Sequence, residues 1–165
     1  MSIRRVFRHL LAPPWLAARR FSSLLVAEIG AAVVVAEASQ RGEIRFVVEG
    51  PLPFGDLWQG RSARQRAADL FARLGVWDTE ENSGVLIYVQ LVDRQVEILA
   101  DRGIAAKVAH AEWEAICRAM ETAFKAADYR QGALAAIRRV GELLAEHFPA
   151  GAENPNELPD LPLLL

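Results

Sequence analysis

Residues 82–103 read Asn-Ser-Gly-Val-Leu-Ile-Tyr-Val-Gln-Leu-Val-Asp-Arg-Gln-Val-Glu-Ile-Leu-Ala-Asp-Arg-Gly. Val85 to Leu91 is apolar at nearly every position, and its β-branched and aromatic members favour a strand over a helix at this length. Such a strand must be covered on both faces. Val92 to Gln95 is a short polar reversal, and Val96 to Ala100 reads as a second strand, paired antiparallel with the first. The other segments are placed around this hairpin.

Toward the N-terminus, Glu43 to Glu49 alternates Ile44, Phe46 and Val48 against Arg45, Val47 and Glu49, which predicts a strand with one better-buried face. Gly42 separates it from a helix that starts at Ser22 or Ser23 and runs to about Gln40, with Leu25, Ile29, Ala32, Val33 and Ala36 at helical spacing. Leu24, Val26, Val34 and Val35 make that helix apolar almost all round, so a second cover is expected, from the N-terminal arm or from another copy of the chain. Between the first two strands, 50–60 reads as a loop in which Phe54, Leu57 and Trp58 pack down. Ser62 then caps a helix with Ala67, Leu70, Phe71 and Leu74 on one face, and Gly75 ends it.

After Gly103 comes a short helical piece, then a helix over 111–127 with Trp113, Ile116, Cys117, Met120 and Phe124 inward. Asp128 caps a last helix striped by Leu134, Ile137, Gly141, Leu144 and Phe148. The order helix, strand, helix, strand, strand, helix, helix predicts an α/β fold, a three-layer α/β/α sandwich around a small mixed sheet. The first two strands are joined through a helix, so they should be parallel with a right-handed connection; the third runs against the second.

At 165 residues the chain is long enough for one well-buried core without a metal or disulfide. Cys117 is the sole cysteine, so no intrachain disulfide can form, and its inward position reads as core rather than nucleophile. A net charge of −2 gives no overall pull toward nucleic acid or anionic lipid. Residues 1–21 form a basic arm carrying Arg4, Arg5, Arg8, Arg19 and Arg20, read either as a solvated face or as a surface (residues 1–20) for an acidic partner or a membrane. Pro13, Pro14 and the arginines interrupt any signal-peptide core, and the apolar run from Leu24 to Ala38 carries Glu28 and is too short to span a bilayer, so a cytoplasmic location is expected. Residues 150–165 mix prolines, acids and a terminal Leu-Leu-Leu without a period; a mobile tail is expected, with docking on a neighbour as the alternative.

These strand directions bring the start of the first strand, the loop before the second and the turn after the third to one end of the sheet. Glu43, Asp78, Glu80, Glu81, Asn82 and Asp101 lie there, with Glu37 nearby. Carboxylates with an amide and loop carbonyls are oxygen-rich and suit calcium or magnesium. The alternative is that they cap helices, pair with Arg41 and Arg102, or solvate loop tips. There is no phosphate-cradling glycine loop, Gly-x-Ser-x-Gly elbow or His-Glu-x-x-His motif, and His9, His110 and His147 fall in separate elements. Arg66 reads as a salt-bridging helix residue or one whose stem covers apolar surface. Asp101, followed by Arg102 and Gly103, either ligates a cation or accepts a structural hydrogen bond.

Several pieces, in order, resemble the TPM domain family over about residues 22–149. They are Glu37 with Gly42-Glu43-Ile44; Arg66-Ala67 with Leu70-Phe71; Trp77-Asp78-Thr79-Glu80; Asn82-x-Gly84-Val85-Leu86-Ile87-Tyr88; and Val96-Glu97-Ile98-x-Ala100-Asp101-Arg102-Gly103-Ile104. Trp113, Ile116, Phe124, Tyr129, Gly132, Ile137 and His147-Phe148-Pro149 continue the pattern. The resemblance implies an α/β/α sandwich, calcium binding near acidic loops, acid phosphatase activity, and roles in assembly, repair or modulation of membrane complexes. Many members carry a signal peptide and a transmembrane helix; this chain is similar to the short soluble bacterial members. Of the site residues, only Asn82 and Asp101 match the family pattern. The expectation is an accessory or interaction domain that binds a divalent cation and acts on a protein partner, a second copy of the chain included. The alternative is a metal-assisted acid phosphatase using water, with Arg102 stabilising charge.

Overall fold

The computed structural model describes residues 3–151 and 156–165. Helices α1 (Ile3–Leu11), α2 (Leu16–Arg20) and α3 (Ser23–Glu37) precede strand β1 (Ile44–Glu49). Helices α4 (Phe54–Trp58) and α5 (Ala63–Arg73) lead to the hairpin β2 (Val85–Gln90) and β3 (Gln95–Ala100). Then come α6 (Arg102–Ala105), α7 (His110–Lys125), α8 (Tyr129–His147) and β4 (Leu163–Leu164).

Helix starts follow the capping residues. Ser22 Oγ accepts from Leu25 N at 3.3 Å and Asp128 Oδ1 from Gln131 N at 3.0 Å. At α5, Ser62 and Gln65 exchange side-chain-to-backbone hydrogen bonds, a reciprocal box that satisfies two otherwise orphaned N–H groups. Helix α3 ends at Glu37 rather than near Gln40, and the Glu37 carboxylate turns back to accept from Ile44 N at 2.8 Å. The last side chain of the helix thus holds the first residue of the strand.

The sheet order is β3-β2-β1-β4. Strands β1 and β2 are parallel, from Ile44 opposite Val85 to Glu49 opposite Gln90, and β3 runs antiparallel to β2 with Ala100 opposite Val85. On one face Ile44, Phe46, Val48, Val85, Ile87 and Val89 meet the inner sides of α3, α7 and α8. On the other, Val47, Leu86 and Tyr88 meet Ala63, Ala67 and Leu70 of α5. This is the three-layer α/β/α sandwich with a small mixed sheet.

Three expectations change. All six residues of β1 are buried, so it has two covered faces rather than one better-buried face. Its alternation separates two cores, and Arg45 and Glu49 are buried on the α5 side because each finds polar partners there. The 50–60 segment contains α4, in which only Leu57 is buried; Phe54 and Trp58, one helical turn apart, stack on each other and face solvent.

The third change is the tail. Residues 156–165 are docked, not loose: Leu163 and Leu164 pair in parallel with Val47 and Val48. Leu165 N donates to Val48 O at 2.9 Å and Gly50 N to Leu165 O at 2.8 Å. Without this strand the buried β1 would be an open edge with unpaired backbone groups. Arg45 Nη1 donates to the carbonyls of Pro159 and Leu161, at 2.6 and 2.7 Å. A Cβ on Gly30 would fall 2.8 Å from Leu161 Cδ2, so the tail covers part of α3, where the N-terminal arm or another copy was expected, and Leu24, Val34 and Val35 stay exposed. Residues 152–155 of the expected tail lie outside the described residues.

Candidate cation site at the acidic end of the sheet

The starts of β1 and β2 and the end of β3 lie at one end of the sheet, where the tail also passes on its way to β4. The acidic residues divide into two groups. In the first, Glu43 is buried and its carboxylate accepts from Glu157 N and Leu158 N, each at 3.1 Å. Burial pushes its carboxyl above the ordinary range. Burial likewise pushes Glu37 up to about 8, and the negative charges of Glu43 and Asp160 add to the shift. The Glu80 amide donates to the Glu157 carboxylate at 3.2 and 3.3 Å. Glu43 is therefore committed to holding the tail, together with two acids, Glu157 and Asp160, that the aperiodic tail gave no pattern to pick out.

The second group is a corner between the loop before β2 and the start of α6. Asn82 has φ 54°, and its carbonyl accepts from Gly103 N at 2.9 Å and Ile104 N at 3.3 Å. Asn82 Oδ1 accepts from Arg102 Nε at 2.9 Å. Asp101 caps α6: its Oδ1 accepts from Arg102 N at 2.7 Å, while its Oδ2 is buried with no hydrogen-bond partner among the described residues. Glu81 pairs with Arg41 at the edge of this corner. Asp78 and Glu80 have exposed side chains.

Two glycines shape the corner. A Cβ on Gly103 would fall 2.5 Å from Asn82 O and 2.6 Å from Glu81 O, so only glycine lets those two carbonyls close on the start of α6. A Cβ on Gly84 would lie 1.9 Å from Val76 O, so glycine also seats the loop across the start of β2. Among the described residues, no three His, Cys, Asp or Glu side chains converge as a metal ion requires. A cation at the corner would take Asp101 Oδ2 and loop carbonyls, with the Asn82 amide oxygen joining them by giving up its hydrogen bond from Arg102 Nε. Those donors are all hard oxygens, which fits calcium or magnesium.

A family model for the TPM domain matches residues 17–143. The chain belongs to the TPM domain family. The NMR structure of the BA42 protein from the psychrophilic bacterium Bizionia argentinensis is similar at 29% identity and a TM-score of 0.76, over 87% of this chain and 94% of that one. The N-terminal domain of the cg2496 protein of Corynebacterium glutamicum shares the fold at 20% identity and a TM-score of 0.55, over 82% of this chain and 80% of that one. None of the curated proteins matches the chain.

Other polar residues of this TPM domain serve its frame. At the opposite end of the sheet, Arg66 Nη2 donates to Glu49 Oε1 at 2.7 Å, its Nε reaches both Glu49 oxygens, and Tyr88 Oη donates to Glu49 Oε2 at 2.5 Å. Arg66 is thus the salt-bridging residue its sequence context allowed. Burial pushes the half-buried Cys117 thiol up to about 11, the state of a packed residue and not of a nucleophile. His110 is exposed, 3.5 Å from Glu114 one helical turn on. His9, by contrast, is buried, with its Nδ1 accepting from Leu52 N at 3.0 Å. Among the described residues, no helix is long and apolar enough to cross a membrane.

Proposed function

We propose that this TPM domain is an accessory domain that acts on a partner protein and takes up a divalent cation, calcium or magnesium, at the corner of Asp101 and Asn82. The observation that carries the reading is Asp101 Oδ2, a buried carboxylate oxygen without a hydrogen-bond donor among the described residues. An unpaired buried acceptor of this kind costs about 1–3 kcal/mol or more, so the corner stands in need of a positive group. Arg102 does not fill it, because its Nε is spent on Asn82 Oδ1. Asp101 would supply charge, Asn82 and the carbonyls gathered around Gly103 would supply neutral oxygens, and Arg41 would hold Glu81 beside them. A bound cation would neutralise Asp101 and tie the 79–82 loop to the start of α6.

The hydrolase alternative would use water as the attacking group, since the nearby hydroxyls are otherwise engaged. Ser83 Oγ donates to Arg41 O at 3.2 Å, and Thr79 Oγ1 accepts from Ser83 N at 3.0 Å, both on buried residues. That leaves water as the nucleophile and phosphatase turnover as the discriminating measurement.

Titration of the metal-free protein with calcium and with magnesium, followed by backbone amide NMR, is the test. Saturable shifts confined to 81–84 and 101–104 are expected. Asp101→Asn keeps the α6 cap, since Asn caps about as well as Asp, and should weaken the cation by on the order of tenfold or more, as loss of a charged ligand requires. Scattered shifts that never saturate would sink the cation site. Phosphatase turnover abolished by Asp101→Asn in folded protein would replace the accessory reading with the hydrolase.

A further inference from the structure

Helix α1 is mounted inside out. A surface helix ordinarily turns its apolar stripe to the core and its charges to water. In α1 the residues at i, i+4, i+7 and i+8 are Ile3, Phe7, Leu10 and Leu11, and they are 69%, 61%, 59% and 80% exposed. The stripe facing the protein is polar. Arg5 Nε donates to Asp93 Oδ2 at 2.8 Å, His9 Nε2 lies 3.2 Å from Asp93 Oδ1, and His9 Nδ1 takes the Leu52 amide. Asp93 sits on the β2–β3 turn, so the helix is latched to the domain by charge and hydrogen bonds while its apolar side is left free.

Neighbouring elements also carry exposed apolar side chains. The His9–Leu52 hydrogen bond fixes α1 beside the segment leading to α4, where Phe54 and Trp58 stack at 6.1 Å and project outward. Trp15 is also exposed, with the Arg19 guanidinium 5.4 Å from its ring centroid. The first 27 residues hold five arginines and neither Asp nor Glu, in a chain of net charge −2. Arg4, Arg8, Arg19 and Arg20 are exposed, Arg8 also reaching Asp93 Oδ1 at 3.2 Å and Arg20 lying 5.6 Å from the Tyr129 ring centroid.

From this arrangement we infer that α1, with Trp15 and α4, docks on an anionic lipid surface, the apolar side chains entering the headgroup boundary and the arginines meeting the lipid charge. The chemistry selects this occupant. Phe, Leu and Ile beside Trp and Arg is the composition that partitions into a bilayer interface, with the helix lying in the plane and its apolar side about 5–10 Å deep. A second copy packed through the same patch would set one arginine-rich arm against another, because a two-fold contact brings like surface to like. The latch to Asp93 presents the helix already folded, so the ordering cost of an interfacial peptide is largely met in the free protein.

Co-sedimentation of the intact chain with vesicles tests the inference, using phosphatidylcholine alone and phosphatidylcholine with phosphatidylglycerol. Binding is expected to the mixed vesicles and at least about tenfold less to the neutral ones. It should weaken as ionic strength rises from about 0.1 M toward 1 M, which shortens the screening length from about 10 Å to about 3 Å. Phe7→Ser and Leu11→Ser, at exposed positions, should each reduce binding about tenfold while leaving the circular dichroism and melting of the protein unchanged. Absence of binding to the mixed vesicles overturns the inference, as does binding that both substitutions leave intact. Self-association that both substitutions abolish, without vesicle binding, would assign the patch to a second copy and overturn it equally.

Discussion

Arg66→Ala is expected to destabilise the protein by about 3–5 kcal/mol, because it leaves the Glu49 carboxylate buried without its counter-charge. Glu49 is 2% exposed and receives the guanidinium on both oxygens, with Tyr88 Oη completing the set. The hydrogen bond to Glu49 raises the Arg66 pKa further, and burial followed by the Glu49 charge raises that of Tyr88, so one anion holds both donors protonated. The network ties β1, β2 and α5 together across the smaller core. Asp56 and Asp69 lie 3.4 and 3.3 Å from Arg66 Nη1 and cannot substitute, since neither donates to Glu49. Tyr88→Phe should cost less, about 1.5–3 kcal/mol for one hydrogen bond to a charged group. Urea denaturation of the single variants and of Arg66→Met with Glu49→Gln gives the check: the double variant should recover much of the loss. A loss below about 1 kcal/mol for Arg66→Ala would mean that water reaches Glu49 and that the pair is no anchor.

The parts of this fold that could be read from the chain are those whose cause is local. Val85 to Val89 can be a strand buried on both faces and little else, and Ser22, Ser62 and Asp128 mark helix starts because each hydrogen-bonds an amide three residues on. Asn82 and Asp101 could be placed together because the hairpin forces the start of β2 beside the end of β3. What could not be read depends on partners distant in sequence. The β4 strand has only two residues, too few for any period, and it exists because β1, more than 110 residues earlier, would otherwise be an open edge. Glu43 looked like a cation ligand for the same reason: its partners, Glu157 N and Leu158 N, are in that tail. Phe54 and Trp58 looked like core because their residue type usually is. Their one-turn spacing in α4 puts them on a side that the domain does not cover.

Stability should fall as the pH rises from about 4.5 to about 8, with Glu37 carrying most of the change. Its carboxyl is near 4.5 when freely hydrated and about 8 in the folded protein. Between those values the folded state holds a proton that the unfolded state has lost, so the unfolding free energy decreases with pH, by up to about 1.4 kcal/mol per pH unit for one such group. The stabilisation is complete below 4.5 and gone above 8. Glu43, raised in the same direction by burial, adds to the slope. Asp93 does not mask it: burial opposes its ionisation, but His9 and Arg5 hold it down at about 2, so its contribution is constant above the ordinary carboxylate range. Glu37→Gln retains an oxygen for the Ile44 amide and cannot ionise, so it should flatten the profile and raise stability at pH 8. The tail should report the same event locally. Ionised Glu37 repels Asp160 and Glu43, and Glu43 is the group that grips Glu157 and Leu158. Amide exchange at Leu165 and Gly50, whose hydrogen bonds close β4 onto the sheet, is therefore expected to speed up by pH 8 beyond its intrinsic pH dependence, and Glu37→Gln should remove the excess. An excess that persists in the variant would show that some other group frees the tail.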